Sequence, residues 1–117
     1  AGEYFELADA GRHYPARFML YVVPVRESRR ERIPAVTHVD GTARLQTVGR
    51  ETNPRYHRLI ETFGQATGVP VVLNTSFNLR GEPIVNTPEE AFSPFMRSGM
   101  DSLALGDFLI DKEGLAG

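Results

Sequence analysis

The sequence predicts an α/β domain built on a mixed sheet, and three observations carry that expectation. Short apolar, β-rich runs recur along the chain: FMLYVVPV at 18–25, VPVVLNT at 69–75 and MDSLALGDFLID at 100–111. Two segments of helical period lie between them, each opened by a capping residue with a proline and closed by a glycine. The resulting order is strand, hairpin, helix, strand, polar loop, short β segment, helix and strand, the alternation typical of α/β chains. With 117 residues, the chain has room for one domain.

Residues 1–17 show no period and read as an irregular N-terminal arm, leaving 18–117 as the domain proper. Apolar and β-branched residues make 18–25 a strand, which Pro24 should end or confine to a sheet edge. The charged run RESRRERIP at 26–34 reads as a short surface helix or turn stopped by Pro34. In AVTHVDGTARLQTV at 35–48, Asp40-Gly41 is a favoured two-residue turn, predicting two β segments around it. Alternation in the second segment places Ala43, Leu45 and Thr47 on one face and Arg44, Gln46 and Val48 on the other.

Helical spacing follows in Tyr56, Leu59, Ile60 and Phe63, with Thr52 or Asn53 as cap, Pro54 in the first turn and Gly68 as stop. VPVVLNT is the next strand and PIVN a short second one. The following helix begins with Thr87 as cap, Pro88 at the first position and Glu90 three residues after the cap, a capping box. Pro94 should kink or divide it. Gly106-Asp107 interrupts the last β-rich segment as a bulge or tight reversal.

Composition sets limits on function. No run approaches the roughly 18 apolar residues that span a membrane, and the first residues lack the basic and apolar regions of a signal peptide. The absence of cysteine excludes disulfides, thiolate metal sites and a cysteine nucleophile, and fits a reducing cytoplasm. A formal charge of -2 argues against a broad nucleic-acid surface. Of 13 basic residues only Lys112 is lysine. Arginine offers a planar fork for phosphate or carboxylate, although a GC-rich genome produces the same bias.

The abrupt change within VVLNTSFNLRGEPIV, residues 71–85, is the most informative feature. Three buried-type residues lead into Asn74, Thr75, Ser76, Asn78 and Gly81. In open α/β sheets ligands sit at the carboxyl ends of strands. Hydroxyls, amides and backbone N–H groups there can converge on a phosphate or a carbonyl oxygen without needing ionisation. Gly81 permits a backbone conformation that other residues resist. The loop lacks the GxxxxGK[ST] of a P-loop and the GxSxG of a nucleophile elbow. Residue types alone describe equally well a β-turn satisfied by its own side chains.

Arg44 is the leading basic candidate, being a charge within an apolar strand; a solvated sheet edge accounts for it as well. Arg50 and Arg80 are weaker, both lying beside turn signals. His38 with Asp40, or His57 alone, supplies too few ligands for a metal at a defensible spacing, and hairpin roles suit them better. His13 carries no signal in the arm, and Asp107 reads as a turn residue.

Taken in order, THVDGTARLQTV, ETNP, VPVVLNTSFNLRGEPIV and TPEEA with LALGDFLI resemble the C-terminal domain of the O-carbamoyltransferases, the family of nodulation-factor, aminoglycoside and cephalosporin carbamoyltransferases. The segment also looks like the YrdC fold, with Thr75-Ser76-Phe77-Asn78 and Gly81-Glu82-Pro83 in place of a TSANxSGEP-like loop. The resemblance implies a YrdC-like mixed, twisted sheet with flanking helices, incomplete at its N-terminus. It implies a larger N-terminal domain of the actin and sugar-kinase type as partner. In such enzymes the YrdC-like domain combines carbamoyl phosphate with ATP, which arrives with Mg2+, to give carbamoyl adenylate and pyrophosphate. The carbamoyl group then passes to a hydroxyl of a sugar or natural product such as a nodulation factor.

By the same resemblance, Arg44 would hold the phosphate or carbamoyl group, Asn74 and Ser76 would bind the adenylate, and Thr75 and Asn78 would support them, with no bound metal in this segment. The family's further basic residues, a lysine among them, precede the first residue of this chain, so the fragment alone is expected to be inactive. Apolar surface left by such a truncation predicts dimerisation. A non-catalytic docking domain and a YrdC-type RNA-binding module are the competing readings; the charge disfavours the second.

Overall fold

The computed structural model describes residues 1–115. Helices and antiparallel sheets are combined, as in a small α/β protein, and the chain divides into two compact units, Ala1–Leu73 and the residues from Asn74 onward.

In the first unit, β1 (Tyr21–Pro24) pairs antiparallel with β2 (Thr42–Leu45), with Val23 opposite Ala43 and Tyr21 opposite Leu45. Alternation decides the faces: Val23, Ala43 and Leu45 are buried, whereas Val22 and its partner Arg44 point outward. β1 ends at Pro24, which has no N–H for a ladder.

The hairpin expected around Asp40-Gly41 is different in the structure. Pro34–Val36 forms a 3-10 turn, residues 38–41 a tight reversal, and β2 pairs with β1 instead of with 35–39. The reversal is closed by His38 N–H to Thr42 O at 2.7 Å and Gly41 N–H to His38 O at 2.9 Å. Proline fixes the backbone of 34–36 in a turn, and β1 offers a more apolar face to Ala43 and Leu45.

Residues 1–17 are irregular in secondary structure yet supply much of the core. Tyr4, Phe5, Ala10 and Ala16 cluster with Val23, Val25, Ile33, Ala43 and Leu45. Phe5 forms a β-bridge with Val25, and Glu6 N–H bonds to Pro24 O at 2.9 Å. The charged run, a 3-10 helix over Glu27–Arg32, holds this segment down rather than merely facing solvent. Arg29 pairs with Glu3 at 2.8 Å and lies over the Tyr4 ring, while Arg26 Nε donates to Gly2 O.

α1 (Pro54–Thr67) has the expected ends: Asn53 accepts from Tyr56 N–H, and Gly68, at φ 74°, closes the last turn on Gly64 O. None of its residues is buried. The expected strand at 69–75 joins no ladder among the described residues, Val71 N–H bonding back to Val69 O at 2.9 Å instead, and PIVN at 83–86 joins none either. Among the described residues no mixed sheet runs through these segments, and the two sheets present are two-stranded and antiparallel. Valine-rich sequence favours a pleated surface only when a neighbouring strand pairs with it. Val69 and Val71 instead pack on the edge of the first core.

In the second unit, α2 (Pro88–Arg97) is capped as its sequence dictates. Thr87 Oγ1 accepts from Glu90 N–H at 3.2 Å, and Glu90 Oε2 accepts from Asn86 N–H at 2.9 Å. The helix continues through Pro94, which is buried beside Ala91 and Phe95. Gly106-Asp107 is a tight two-residue reversal between β3 (Ser102–Leu105) and β4 (Phe108–Asp111), since Leu105 faces Phe108. Lys112 joins the end of this hairpin to the helix: Nζ donates to Ser98 O at 2.6 Å and lies 4.9 Å from the centre of the fully buried Phe95 ring.

Candidate ligand-binding loop and strand arginine

The polar loop is built around Asn78. Its Nδ2 donates to Leu79 O at 3.2 Å and Glu82 O at 3.1 Å, while its Oδ1 accepts from Ser76 Oγ at 2.6 Å. Two carbonyls on one side and a hydroxyl on the other fix which way the amide points. Backbone bonds close the loop at two levels, from Val85 N–H to Phe77 O and from Glu82 N–H to Leu79 O, both 3.0 Å. The inner turn, Leu79–Glu82, has positive φ only at Gly81, 85°, the type II pattern that calls for glycine at its third position. No atom lies within 4 Å of where a Cβ on Gly81 would stand, so the backbone here is open to approach.

The predicted residues thus fall into two places. Asn74, Thr75, Ser76, Asn78 and Gly81 share one loop at the start of the second unit, all exposed except the half-buried Asn78. Arg44 stands on the outward face of β2 in the first unit, exposed, and among the described residues it has no hydrogen-bond or ion-pair partner. The turn is satisfied by its own side chains. Asn78 is spent on holding the loop, whereas the Thr75 hydroxyl makes no bond within the described residues. Ser76 has committed its proton to Asn78, which leaves its oxygen as an acceptor.

Sequence reasoning missed one contact. Arg97, in the last turn of α2, grips Glu82 with one nitrogen at 2.7 and 2.9 Å from the two carboxylate oxygens and donates Nε to Ser93 Oγ. The residues are 15 apart, so no local periodicity announces the pair.

The histidines make local contacts: His13 Nε2 lies 3.1 Å from Ala8 O, with its ring edge-on to Tyr21. His38 Nδ1 lies 2.9 Å from Thr42 Oγ1, which donates to Asp40 Oδ1 at 2.7 Å. The Thr42 hydroxyl, then the Thr42 N–H and the nearby His38, hold the Asp40 carboxyl below its usual range. No group of three or more His, Asp or Glu side chains among the described residues could hold a metal. No helix among them is long and apolar enough to cross a membrane.

Fold and loop together define a small α/β protein whose surface carries hydroxyl, amide and guanidinium groups. Comparison with known proteins gives the family. Residues 1–112 match the model of the carbamoyltransferase C-terminus, and the chain belongs to that family. It is 52% identical over 112 residues to nodulation protein NolNO of Sinorhizobium fredii, which is 96% of this chain and 16% of that protein. Nodulation protein NolO of Bradyrhizobium diazoefficiens is 49% identical over 112 residues, 20% of its length. The 3'-hydroxymethylcephem-O-carbamoyltransferase of Amycolatopsis lactamdurans is 43% identical over 90 residues, 77% of this chain and 17% of that enzyme. The chain therefore spans a fifth or less of each of these three relatives.

Proposed function

We propose that this chain is the C-terminal part of an O-carbamoyltransferase and contributes a portion of the site where carbamoyl adenylate forms. Family membership across residues 1–112, with the NTSFN and GEP segments folded into one Asn78-centred loop, is the observation that carries this reading. In the proposed reaction, water releases carbamate and phosphate from carbamoyl phosphate. A carbamate oxygen attacks the α-phosphorus of ATP, and the bond to pyrophosphate breaks. A later transfer moves the carbamoyl group from AMP to an acceptor hydroxyl.

These steps need orientation and charge neutralisation rather than a covalent bond to the protein. Arg44 supplies a permanent positive charge for phosphate or carbamoyl oxygen. Ser76 Oγ, with its proton directed at Asn78, suits an N–H donor such as the carbamoyl amide. Asn74 and Thr75 add polar groups to the loop, Gly81 keeps its backbone approachable, and Asn78 positions it. ATP, with its Mg2+, and carbamoyl phosphate are substrates here.

The acceptor domain, of the actin and sugar-kinase type, belongs to the longer cytoplasmic polypeptide. The relatives named above are at least five times longer than the segment matched, leaving ample chain to cover the exposed Leu20, Val22, Phe108 and Leu109. A nodulation factor is the acceptor we favour, because two of the similar proteins are named nodulation proteins.

The test uses the longer polypeptide carrying this chain, supplied with carbamoyl phosphate and [α-32P]ATP. Labelled carbamoyl adenylate and pyrophosphate should appear, and Arg44→Ala or Ser76→Ala should lower their rate by about 100-fold, the scale of losing one positioned electrostatic donor. The 117-residue chain alone should give no turnover. Undiminished adenylate formation in both variants would refute the assignment.

A further inference from the structure

We propose that Arg80 is the phosphate-contacting cation of the 74–82 loop, and that the Glu82–Arg97 ion pair keeps this loop receptive to an anion by cancelling its carboxylate. The proposal rests on the reading just given and adds a residue and a device to it.

The basic side chains of residues 74–115 are Arg80, Arg97 and Lys112. Two are occupied: Arg97 holds Glu82 and Ser93, and Lys112 donates to Ser98 O over the Phe95 ring. Arg80 alone of the three is exposed with no hydrogen-bond, ion-pair or ring partner among the described residues. An idle surface arginine is common enough to carry little weight, but its placement gives this one weight. Arg80 occupies the second position of the Leu79–Glu82 turn, next to Gly81, whose missing side chain leaves open space.

The carboxylate nearest in sequence is Glu82, the obvious local partner for Arg80. Its two oxygens are taken instead by Arg97, from 15 residues away. Without that pair the loop would hold one positive and one negative charge, and an approaching phosphoryl group would meet the Glu82 carboxylate. With it, the charge left to act in the loop is the guanidinium of Arg80, in the same loop as the Thr75 and Ser76 hydroxyls. A planar guanidinium with hydroxyls close in sequence is the donor set that phosphoryl oxygens accept from.

Calorimetric titration of the chain with inorganic pyrophosphate, and separately with carbamoyl phosphate, tests this. Backbone amide shifts of residues 74–86 serve as a check that each variant keeps the loop. Arg80→Ala should weaken binding by about tenfold or more, the effect of losing a charge-assisted contact, and Arg80→Lys should recover part of it. Arg97→Ala should also weaken binding, because it exposes the Glu82 charge, and adding Glu82→Gln to it should restore affinity to within about twofold. If Arg80→Ala binds as tightly as the unaltered chain while ligand still shifts residues 74–81, the role of Arg80 is overturned and the wider reading stands. If the Arg97→Ala defect persists with Glu82→Gln, the ion pair acts on folding and not on charge, which overturns the second half. Absence of binding by the unaltered chain overturns the proposal together with the reading beneath it.

Discussion

Asn78→Ala should loosen the candidate site more than removal of any other polar side chain in the loop. Three hydrogen bonds are lost, to Leu79 O, Glu82 O and from Ser76 Oγ. A net value of about 1 kcal/mol each sets a ceiling near 3 kcal/mol. The two carbonyl bonds are partly buried and count nearly in full, while water replaces the exposed Ser76 contact, so about 2 kcal/mol is expected. The cost should appear as local opening rather than global unfolding, because no residue of the loop is among the buried core residues. Amide hydrogen exchange at Glu82 and Val85, whose N–H groups close the loop on Leu79 O and Phe77 O, reads this directly. Both should exchange about 30-fold faster at about 1.36 kcal/mol per tenfold. Ser76→Ala, losing one exposed bond, should accelerate them only about twofold to threefold. Asn78→Asp should be at least as disruptive as alanine, since a carboxylate has no N–H for the two carbonyls. An acceleration under threefold in Asn78→Ala would refute the claim that Asn78 organises the loop.

Two further outcomes follow from the same contacts. Phe95→Ala should cost the second unit about 3–5 kcal/mol, because this fully buried ring is its largest buried side chain and carries Lys112 above it; urea unfolding followed at β3–β4 measures it. The 38–42 reversal should weaken in acid. The folded Asp40 carboxyl titrates below its ordinary value, so its contribution is complete above that value and is lost as pH falls through the folded pKa. Asp40→Asn should flatten that acid dependence in the amide exchange of Thr42.

What the sequence made legible was local. Thr87, Pro88 and Glu90 announce α2 because a capping box is complete within four residues, and Asn53, Pro54 and Gly68 do the same for α1. Alternation around Arg44 gave the correct outward face of β2, since a period of two requires no knowledge of the partner. Pairing was less visible. β2 turns to β1, some twenty residues away, and 69–75 finds no neighbour among the described residues, because β-rich composition states a preference without naming a partner. The first 17 residues looked like an arm because Tyr4, Phe5, Ala10 and Ala16 are buried from turns and 3-10 helices, which impose no amphipathic period. In the polar loop the residue types were legible, whereas Asn78 bonding to Glu82 O and Arg97 occupying the Glu82 carboxylate join residues that no periodicity links.

Arg44 and the 74–81 loop are each proposed to contact carbamoyl phosphate or ATP. A backbone NMR titration of the chain with both ligands, beside an Arg44→Ala control, tests this most directly. Shifts at residues 74–81, together with shifts around position 44 that the Arg44→Ala chain loses, are the result predicted. No shifts at either place in a folded sample would contradict it.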